Sequence, residues 1–251
     1  MSAPRVRAPR VAELVASRLR DDILSGRLKE GDVLPAQETL FAEFGVSPPA
    51  LREAIHILES DGLITVRRGN VGGAVVNQPS SERTAHMISM VLQTRSASPA
   101  DVSEALLHME PVCAGLCAAR EDRLTEVVPF LEAELATQTA QFDDVAKYVP
   151  NARRFHETLV ARCGNESMIL LIGSLEVIWS AHESAVWRSE DDAALATTRR
   201  AALRDHQRLV DAIRDGNQGR AVKLATDHLA AARRNTLGLD RTIEARLIPQ
   251  A

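Results

Sequence analysis

The chain has 251 residues, a net charge of −4 and an apolar content of 45%, so it is long enough for one or two domains with a buried core. Its charged content of 25% excludes general disorder, and its low aromatic content of 3% favours helices over strands. The longest apolar run, Met168 to Ile172, is too short to cross a bilayer. Three cysteines and the lack of an apolar signal segment predict a cytoplasmic protein without a disulfide framework.

The N-terminal third of the chain begins with helical periodicity. Apolar spacing predicts a first helix over Val11 to Leu24, with an inward stripe made of Val11, Leu14, Val15, Leu19 and Ile23. A short second helix follows over Gln37 to Phe44, and Gly45 is expected to end it in the left-handed conformation. Ser47 and Pro48 predict the start of a third helix, because Pro loses no hydrogen bond at the first helical position.

Two short apolar segments then predict a β-hairpin. The strands are Leu63 to Val66 and Gly73 to Val76, around a basic turn formed by Arg67, Arg68, Gly69 and Asn70. Helix, turn, helix and hairpin in this order predict a winged helix-turn-helix, whose third helix enters the major groove of DNA. The basic hairpin tip is suited to phosphate or to the minor groove.

A polar segment with a helix-breaking proline divides the chain near residue 80; it consists of Asn77, Gln78, Pro79, Ser80 and Ser81. Beyond this segment the apolar pattern is helical almost to the end. We therefore predict a mostly α protein with a winged helix-turn-helix in residues 1–78, a linker over 79–82 and an all-helical bundle over 83–251.

Three sequence blocks at fixed spacing stand out in the N-terminal domain: Leu34-Pro-Ala-Gln-Glu-Thr-Leu-Phe-Ala-Glu-Phe-Gly-Val-Ser47, Leu51-Arg-Glu-Ala54 and Leu58-Glu-Ser-Asp-Gly-Leu-Ile64. They resemble the GntR family of bacterial transcription regulators over residues 10 to 77. The resemblance implies DNA contacts at five positions, namely Ser47, Ala50, Arg52, Arg68 and Gly69. Pro48 stands where the family usually has Arg, and this alters base recognition because Pro cannot make the bidentate guanine contact.

Three of the seven histidines lie on the apolar faces of predicted helices, and this follows from helical spacing alone. The stripes are His156 with Leu159, Val160 and Cys163, His206 with Leu203, Leu209, Val210 and Ile213, and His228 with Leu224, Ala225 and Ala232. Two interpretations stay open. Either each histidine is a core residue bonded to a nearby carbonyl, or all three converge on a divalent metal.

Looser motifs in the C-terminal part are Phe155-His156-Glu-Thr-Leu159 and Cys163-Gly164-Asn165-Glu166. They resemble the all-helical effector domain of the FadR subfamily, the FCD type. The resemblance implies a metal held by His156, His206 and His228, and imidazole ligands suit zinc or nickel. It also implies an Asp ligand one turn before the first histidine, where this chain has Ala152. An Arg that can hold an effector carboxylate falls on Leu106.

These two departures leave the effector open. A three-histidine site open to water or to an effector oxygen suits an organic acid. An apolar metabolite suits a metal-free pocket equally well.

Together these features predict a homodimeric, ligand-responsive transcription regulator that binds a palindromic operator in double-stranded DNA, as a repressor relieved by a small-molecule effector. We expect no enzyme and no membrane partner, since hydrolase motifs are absent and no acidic residue stands at the spacing of a general base. Two alternatives stay open: a metal-dependent hydrolase with an accessory DNA-binding domain, and a constitutive DNA binder whose helical domain only dimerises.

Overall fold

The structure is a computed structural model that describes residues 10–67, 73–186, 192–234 and 242–247. The chain divides into two compact units, Met1–Pro79 and Ser80–Ala251, and each unit has its own apolar core. Within the described ranges, no helix combines the length and the apolar character that a membrane span needs.

The N-terminal unit contains three helices and a two-stranded antiparallel sheet: α1 Val11–Leu24, α2 Gln37–Phe44, α3 Pro48–Ser60, β1 Ile64–Arg67 and β2 Gly73–Val76. The first two helices and the second strand have the predicted bounds. The first strand begins one residue later than predicted, because Leu63 belongs to the turn that follows α3. Its N–H donates to the Leu58 carbonyl at 2.9 Å, and Gly62 adopts a φ of 73° in the turn between them.

The inward face of α1 differs from the predicted stripe. Val11 and Leu14 are 54% and 56% exposed, whereas Ala12 and Ala16 are buried beside the predicted Val15, Leu19 and Ile23. The buried stripe is therefore rotated towards two alanines, whose small side chains allow α1 to pack closely on α3. Counting large apolar residues alone overlooks such a face, because alanine contributes little to the apolar pattern.

The helix-turn-helix is formed by α2 and α3. Gly45 ends α2 with a φ of 61° and its N–H donates to the Phe41 carbonyl at 3.0 Å, as predicted for a left-handed cap. Three residues bury one face of α3 completely, namely Leu51, Ala54 and Leu58, and the neighbouring Ile55 is half-buried. An antiparallel bridge between Val33 and Val75 adds a third short segment to the wing. The predicted wing-tip contacts Arg68 and Gly69 lie outside the described residues.

The C-terminal unit is a helical bundle. Its helices are α4 Ser81–Thr94, α5 Pro99–Ala119, α6 Arg123–Glu126, α7 Val128–Ala140, α8 Val145–Ala161, α9 Glu166–Val186, α10 Asp192–Arg214 and α11 Gln218–Arg234. A short 3₁₀ helix, Ala245–Leu247, follows. The bundle begins at Ser81, two residues before the predicted 83, because the Ser80 side chain caps α4 by accepting the Arg83 N–H. Within the bundle, α5 packs against α8, α9, α10 and α11 and so forms its centre.

Candidate functional site

Three histidines from three helices point into one region of the bundle. His156 lies on α8, His206 on α10 and His228 on α11, and their residue exposures are 4%, 1% and 7%. Each is carried inward by the apolar stripe of its helix, as the sequence predicts. The structure therefore brings together all three predicted metal ligands.

The three Nε2 atoms form a nearly regular triangle. His206 Nε2 lies 3.3 Å from His156 Nε2 and 3.1 Å from His228 Nε2, and the remaining pair is 3.3 Å apart. Two ligand atoms of a tetrahedral zinc ion, each about 2.0–2.1 Å from the metal, are about 3.3 Å apart. The spacing therefore fits a single tetrahedral or facial metal ion.

The other ring nitrogen of each histidine faces an oxygen from a different helix. His156 Nδ1 lies 2.5 Å from Glu110 Oε1, and His206 Nδ1 lies 3.0 Å from Gln138 Oε1. His228 Nδ1 is 3.7 Å from Asp205 Oδ2. Carboxylate and amide oxygens can only accept hydrogen bonds. Because such an oxygen faces each Nδ1 atom, the hydrogen of each ring in its neutral form belongs on Nδ1.

This arrangement leaves three Nε2 lone pairs facing one another. Burial lowers the pKa of His156 and lowers that of His206 well below its ordinary value, so these imidazoles are held in the neutral form. In the state that binds a metal, three rings with their hydrogens directed outward have no donor to share among their Nε2 atoms. A divalent metal satisfies all three lone pairs at once, and the residues present therefore fit such an ion.

Two carboxyl groups near the triad are also perturbed. Burial alone would raise the pKa of Glu110, but the interaction with His156, which includes a hydrogen bond, and the charge of Arg153 outweigh it and hold that pKa below its usual value. The His228 imidazole lowers the pKa of Asp205. Both groups are therefore anionic partners for imidazole N–H groups at neutral pH.

A cavity of about 270 Å³ opens onto the three histidines. Apolar side chains form much of its wall, among them Leu106, Ala152 and Trp179. Arginines contribute to the same wall: Arg153, Arg199 and Arg233. Arg153 is buried and forms an ion pair with the fully buried Glu176 on α9. The cavity thus combines an apolar body with positive charge and a candidate metal site, and its size suits a small metabolite.

Sequence reasoning missed the groups that hold the histidines in place. The sequence shows no acidic residue at the spacing of a general base, and spacing gave no sign that Asp205 lines the cavity or that Glu110 contacts His156. One signal was available: Glu110 interrupts the buried face of α5, four residues after Leu106 and three before Cys113. A charged residue inside an apolar stripe requires a polar partner.

The candidate DNA-binding residues lie at the start of α3. Ser47 occupies the N-cap position, but its hydroxyl makes no capping hydrogen bond, and the prolines at the first two helical positions have no N–H to donate. Ser47 and Arg52 are exposed and Ala50 is half-buried. Arg52 has no ion-pair partner in the part of the chain that the structure describes. These three residues form an accessible face, and their DNA contacts stay a prediction.

Two family models match the two units. The model of bacterial regulatory proteins of the gntR family matches residues 11–75, and the FCD domain model matches residues 101–231. The first match spans the helix-turn-helix and wing, and the second spans α5 to most of α11, including the three histidines.

The chain is also similar to curated regulators along most of its length. It is 28% identical over 229 residues to the HTH-type transcriptional regulator Mce2R of Mycobacterium tuberculosis, covering 88% of this chain and 90% of that protein. It is 25% identical over 226 residues to the HTH-type transcriptional repressor NanR of Salmonella newport, covering 88% and 83%.

A solved structure supports the fold. Streptococcus agalactiae GntR has a TM-score of 0.67 and 22% identity, with 89% of this chain and 99% of that chain covered. Because the FCD match alone spans more than half of the 251 residues and the gntR match covers the helix-turn-helix, the chain belongs to the GntR family of bacterial regulatory proteins, carries a C-terminal FCD domain, and is a DNA-binding transcriptional regulator.

Proposed function

We propose that this regulator is a homodimeric repressor that leaves its operator when a small organic acid occupies the cavity of the helical bundle. The observation that carries the proposal is the cavity itself, which opens onto three Nε2 atoms spaced for one metal ion. A bundle that only dimerises has no need for such a buried polar site, which costs stability when its lone pairs are not satisfied.

The metal would be held by His156, His206 and His228, with zinc or nickel as the ions suited to imidazole ligands. When bound, it supplies a Lewis acid that attracts an oxygen of water or of an effector. Arg153, Arg199 and Arg233 line the same cavity, and guanidinium groups are suited to bind the carboxylate of an effector. The apolar wall supports a hydrocarbon body on that effector.

A symmetric dimer is supported by one face of α4. Met87, Met90 and Val91 occupy positions three and four residues apart, and they are 61%, 39% and 50% exposed. Adjacent exposed apolar side chains of this kind mark an association surface. Pairing of two chains would present two α3 helices to DNA, which is why the proposed operator is palindromic.

The experiment is a DNA-binding titration by fluorescence anisotropy, with the DNA upstream of the chain's own coding region as probe. The chain is stripped with a chelator, reloaded with zinc or nickel, and titrated with short-chain carboxylic acids and with their uncharged amides. The proposal expects at least one acid to weaken DNA binding of the metal-loaded chain, while its amide has less effect. Tight DNA binding that no acid changes, with or without metal, would favour the constitutive binder.

A metal-dependent hydrolase is the second candidate, and the position of Asp205 in the cavity favours testing it. The lowered pKa of Asp205 and its position opposite His228 Nδ1 suit an orienting role more than proton transfer at neutral pH. Incubation of the zinc-loaded chain with ester, amide and phosphate-ester substrates tests this candidate. Turnover that disappears in a His206→Gln variant would establish it.

A further inference from the structure

Glu110 holds an unusual position in the bundle. Its side chain is 1% exposed, its Oε1 atom lies 2.5 Å from His156 Nδ1, and its Oε2 atom has no hydrogen-bond partner within the described residues. A carboxylate buried so completely is stable only when a nearby positive charge compensates it. The groups that face it must therefore supply that charge.

A buried metal ion in the candidate site needs a negative charge nearby, just as the buried carboxylate needs a positive one. Three neutral imidazoles leave both charges of a divalent ion uncompensated inside the bundle, which a low-dielectric interior disfavours. Ala152 lies one turn before His156 and lines the same cavity, but its methyl group cannot supply a carboxylate. As long as no anionic effector occupies the cavity, the compensating charge has to come from behind the ligands.

The three partners of the imidazoles differ in what they can supply. Gln138 is a neutral amide. Asp205 is charged, but its oxygen is 3.7 Å from His228 Nδ1 and its side chain is 32% exposed, so water screens it. Glu110 combines charge, full burial and the shortest contact. It is the strongest of the three electrostatic partners.

We propose that Glu110 is the positioning residue that compensates the charge of the metal site through His156. Its carboxylate accepts the Nδ1 hydrogen, fixes the ring with Nε2 towards the metal, and makes that nitrogen a stronger donor. In this way an outer carboxylate takes the place of an inner one at position 152. The inference rests on the proposed metal site and adds to it the residue that determines metal affinity.

The test is the zinc affinity of the full-length chain, measured by competition with a chromophoric chelator. The Glu110→Gln variant keeps the volume and a carbonyl that can still accept the Nδ1 hydrogen, but it removes the charge. We expect its zinc affinity to fall about 10–100-fold. Glu121→Gln is the matched control, because it removes the same charge from an exposed position just beyond the end of the same helix and should change affinity by less than about threefold.

A second variant separates charge compensation from a general effect on folding. Ala152→Asp places a carboxylate one turn from His156 on the cavity wall, so it should restore zinc affinity in the Glu110→Gln background. Ala152→Asp should increase zinc affinity more in the Glu110→Gln background than in the unaltered chain. Both carboxylates compensate the same metal charge, so their effects on affinity are not additive. The visible spectrum of bound cobalt(II) then shows whether the ligand geometry is retained.

The outcomes separate a failure of the role proposed for Glu110 from a failure of the proposed metal site. If the unaltered chain binds zinc and Glu110→Gln binds it equally well, the inference is wrong and the metal site stands. If the unaltered chain binds no zinc, both fail. Should Glu110→Gln not fold, nitrogen NMR of the unaltered zinc-loaded chain decides, because the inference requires a slowly exchanging proton on His156 Nδ1 and its absence would contradict it.

Discussion

At the scale of single residues, each imidazole of the triad separates its two nitrogens into two environments. Nε2 faces the other two histidines, and Nδ1 faces an oxygen of another helix. This division fixes the tautomer of each ring before any ligand arrives. The ring of Phe155 adds a packing constraint, since it stacks on His206 with a centroid distance of 4.0 Å and an interplanar angle of 9°. Glu110, Gln138 and Phe155 therefore preorganise the site without lining the cavity.

The sequence predicts the three ligands but not their supporting partners, and the reason is physical. Helical spacing is local, so it reports that His156, His206 and His228 face inward. The partners Glu110 and Gln138 are 46 and 68 residues away from the histidines they contact, and only the packing of α5 and α7 brings them close. No periodicity within one helix carries that information.

The pH dependence of stability is a prediction at this scale. The pKa of His206 is depressed by burial and by the charges of its neighbours, so the unfolded chain binds more protons than the folded one below about pH 6.5. Stability conferred by the neutral ring is present above that pH and is lost as the pH falls. The free energy of unfolding should drop by up to about 1.4 kcal/mol per pH unit for each such histidine.

Urea unfolding of the metal-free chain at about pH 7.5 and about pH 5.5 measures this dependence. A His206→Gln variant should show a smaller difference between the two pH values, because it removes one of the titrating rings. Identical pH dependence in both chains would show that His206 is not held neutral in the folded state.

At the scale of elements, the structure confirms the bounds of α1 and α2, because glycine and proline mark their ends in the sequence. The prediction for the inward face of α1 was partly wrong, because Ala12 and Ala16 are buried in the core whereas Val11 and Leu14 are exposed. The choice between neighbouring residues depends on how closely α3 approaches, and this is a tertiary property. Patterns thus fix where a helix begins and ends better than which of its faces is closest to a neighbour.

The packing of α5 on α11 gives an element-scale prediction. A Cβ atom added at Gly115 would lie 2.8 Å from the Val222 side chain, whereas one added at Gly219 would meet nothing within 4 Å. Val222 is β-branched and stiff in a helix, so it cannot easily move away. Gly115→Ala should therefore lower the free energy of unfolding by about 1–2 kcal/mol.

Gly219→Ala is the matched control on the partner helix. It should leave stability unchanged or raise it by about 0.5–1 kcal/mol, because alanine loses less backbone entropy in a helix. Urea unfolding of both variants provides the comparison. Equal stability of the two variants would contradict the close approach of α5 and α11.

The accessible face of α3 gives a second element-scale prediction. Arg52→Ala should weaken operator binding by about 1–3 kcal/mol if Arg52 contacts a base, or mainly reduce the salt dependence if it contacts phosphate. Arg27→Ala is the control, since Arg27 lies after the end of α1 and pairs with Asp22. Anisotropy titrations at several salt concentrations measure both effects. Unchanged binding of the Arg52 variant would show that α3 is not the recognition helix.

At the scale of the whole molecule, the N-terminal unit carries the DNA-binding fold and the bundle carries the cavity that we propose for the effector. A single recognition helix reads only a few base pairs, so two paired chains are needed for useful specificity. Footprinting should therefore show two inverted half-sites, and sedimentation of the unliganded chain should show a dimer. A Met87→Glu and Val91→Glu double variant should dissociate that dimer if the apolar face of α4 mediates it. A single protected half-site bound by a monomer would contradict the proposed symmetry.

The central claim is that His156, His206 and His228 hold one divalent metal in the bundle. Its most direct test is a crystal structure of the zinc-loaded chain, with anomalous data collected on both sides of the zinc absorption edge. A metal held by the three histidines gives one anomalous peak per chain, about 2.0–2.2 Å from each of the three Nε2 atoms. Rings turned apart, with no peak among them and each Nε2 bonded to a neighbouring group, would contradict it.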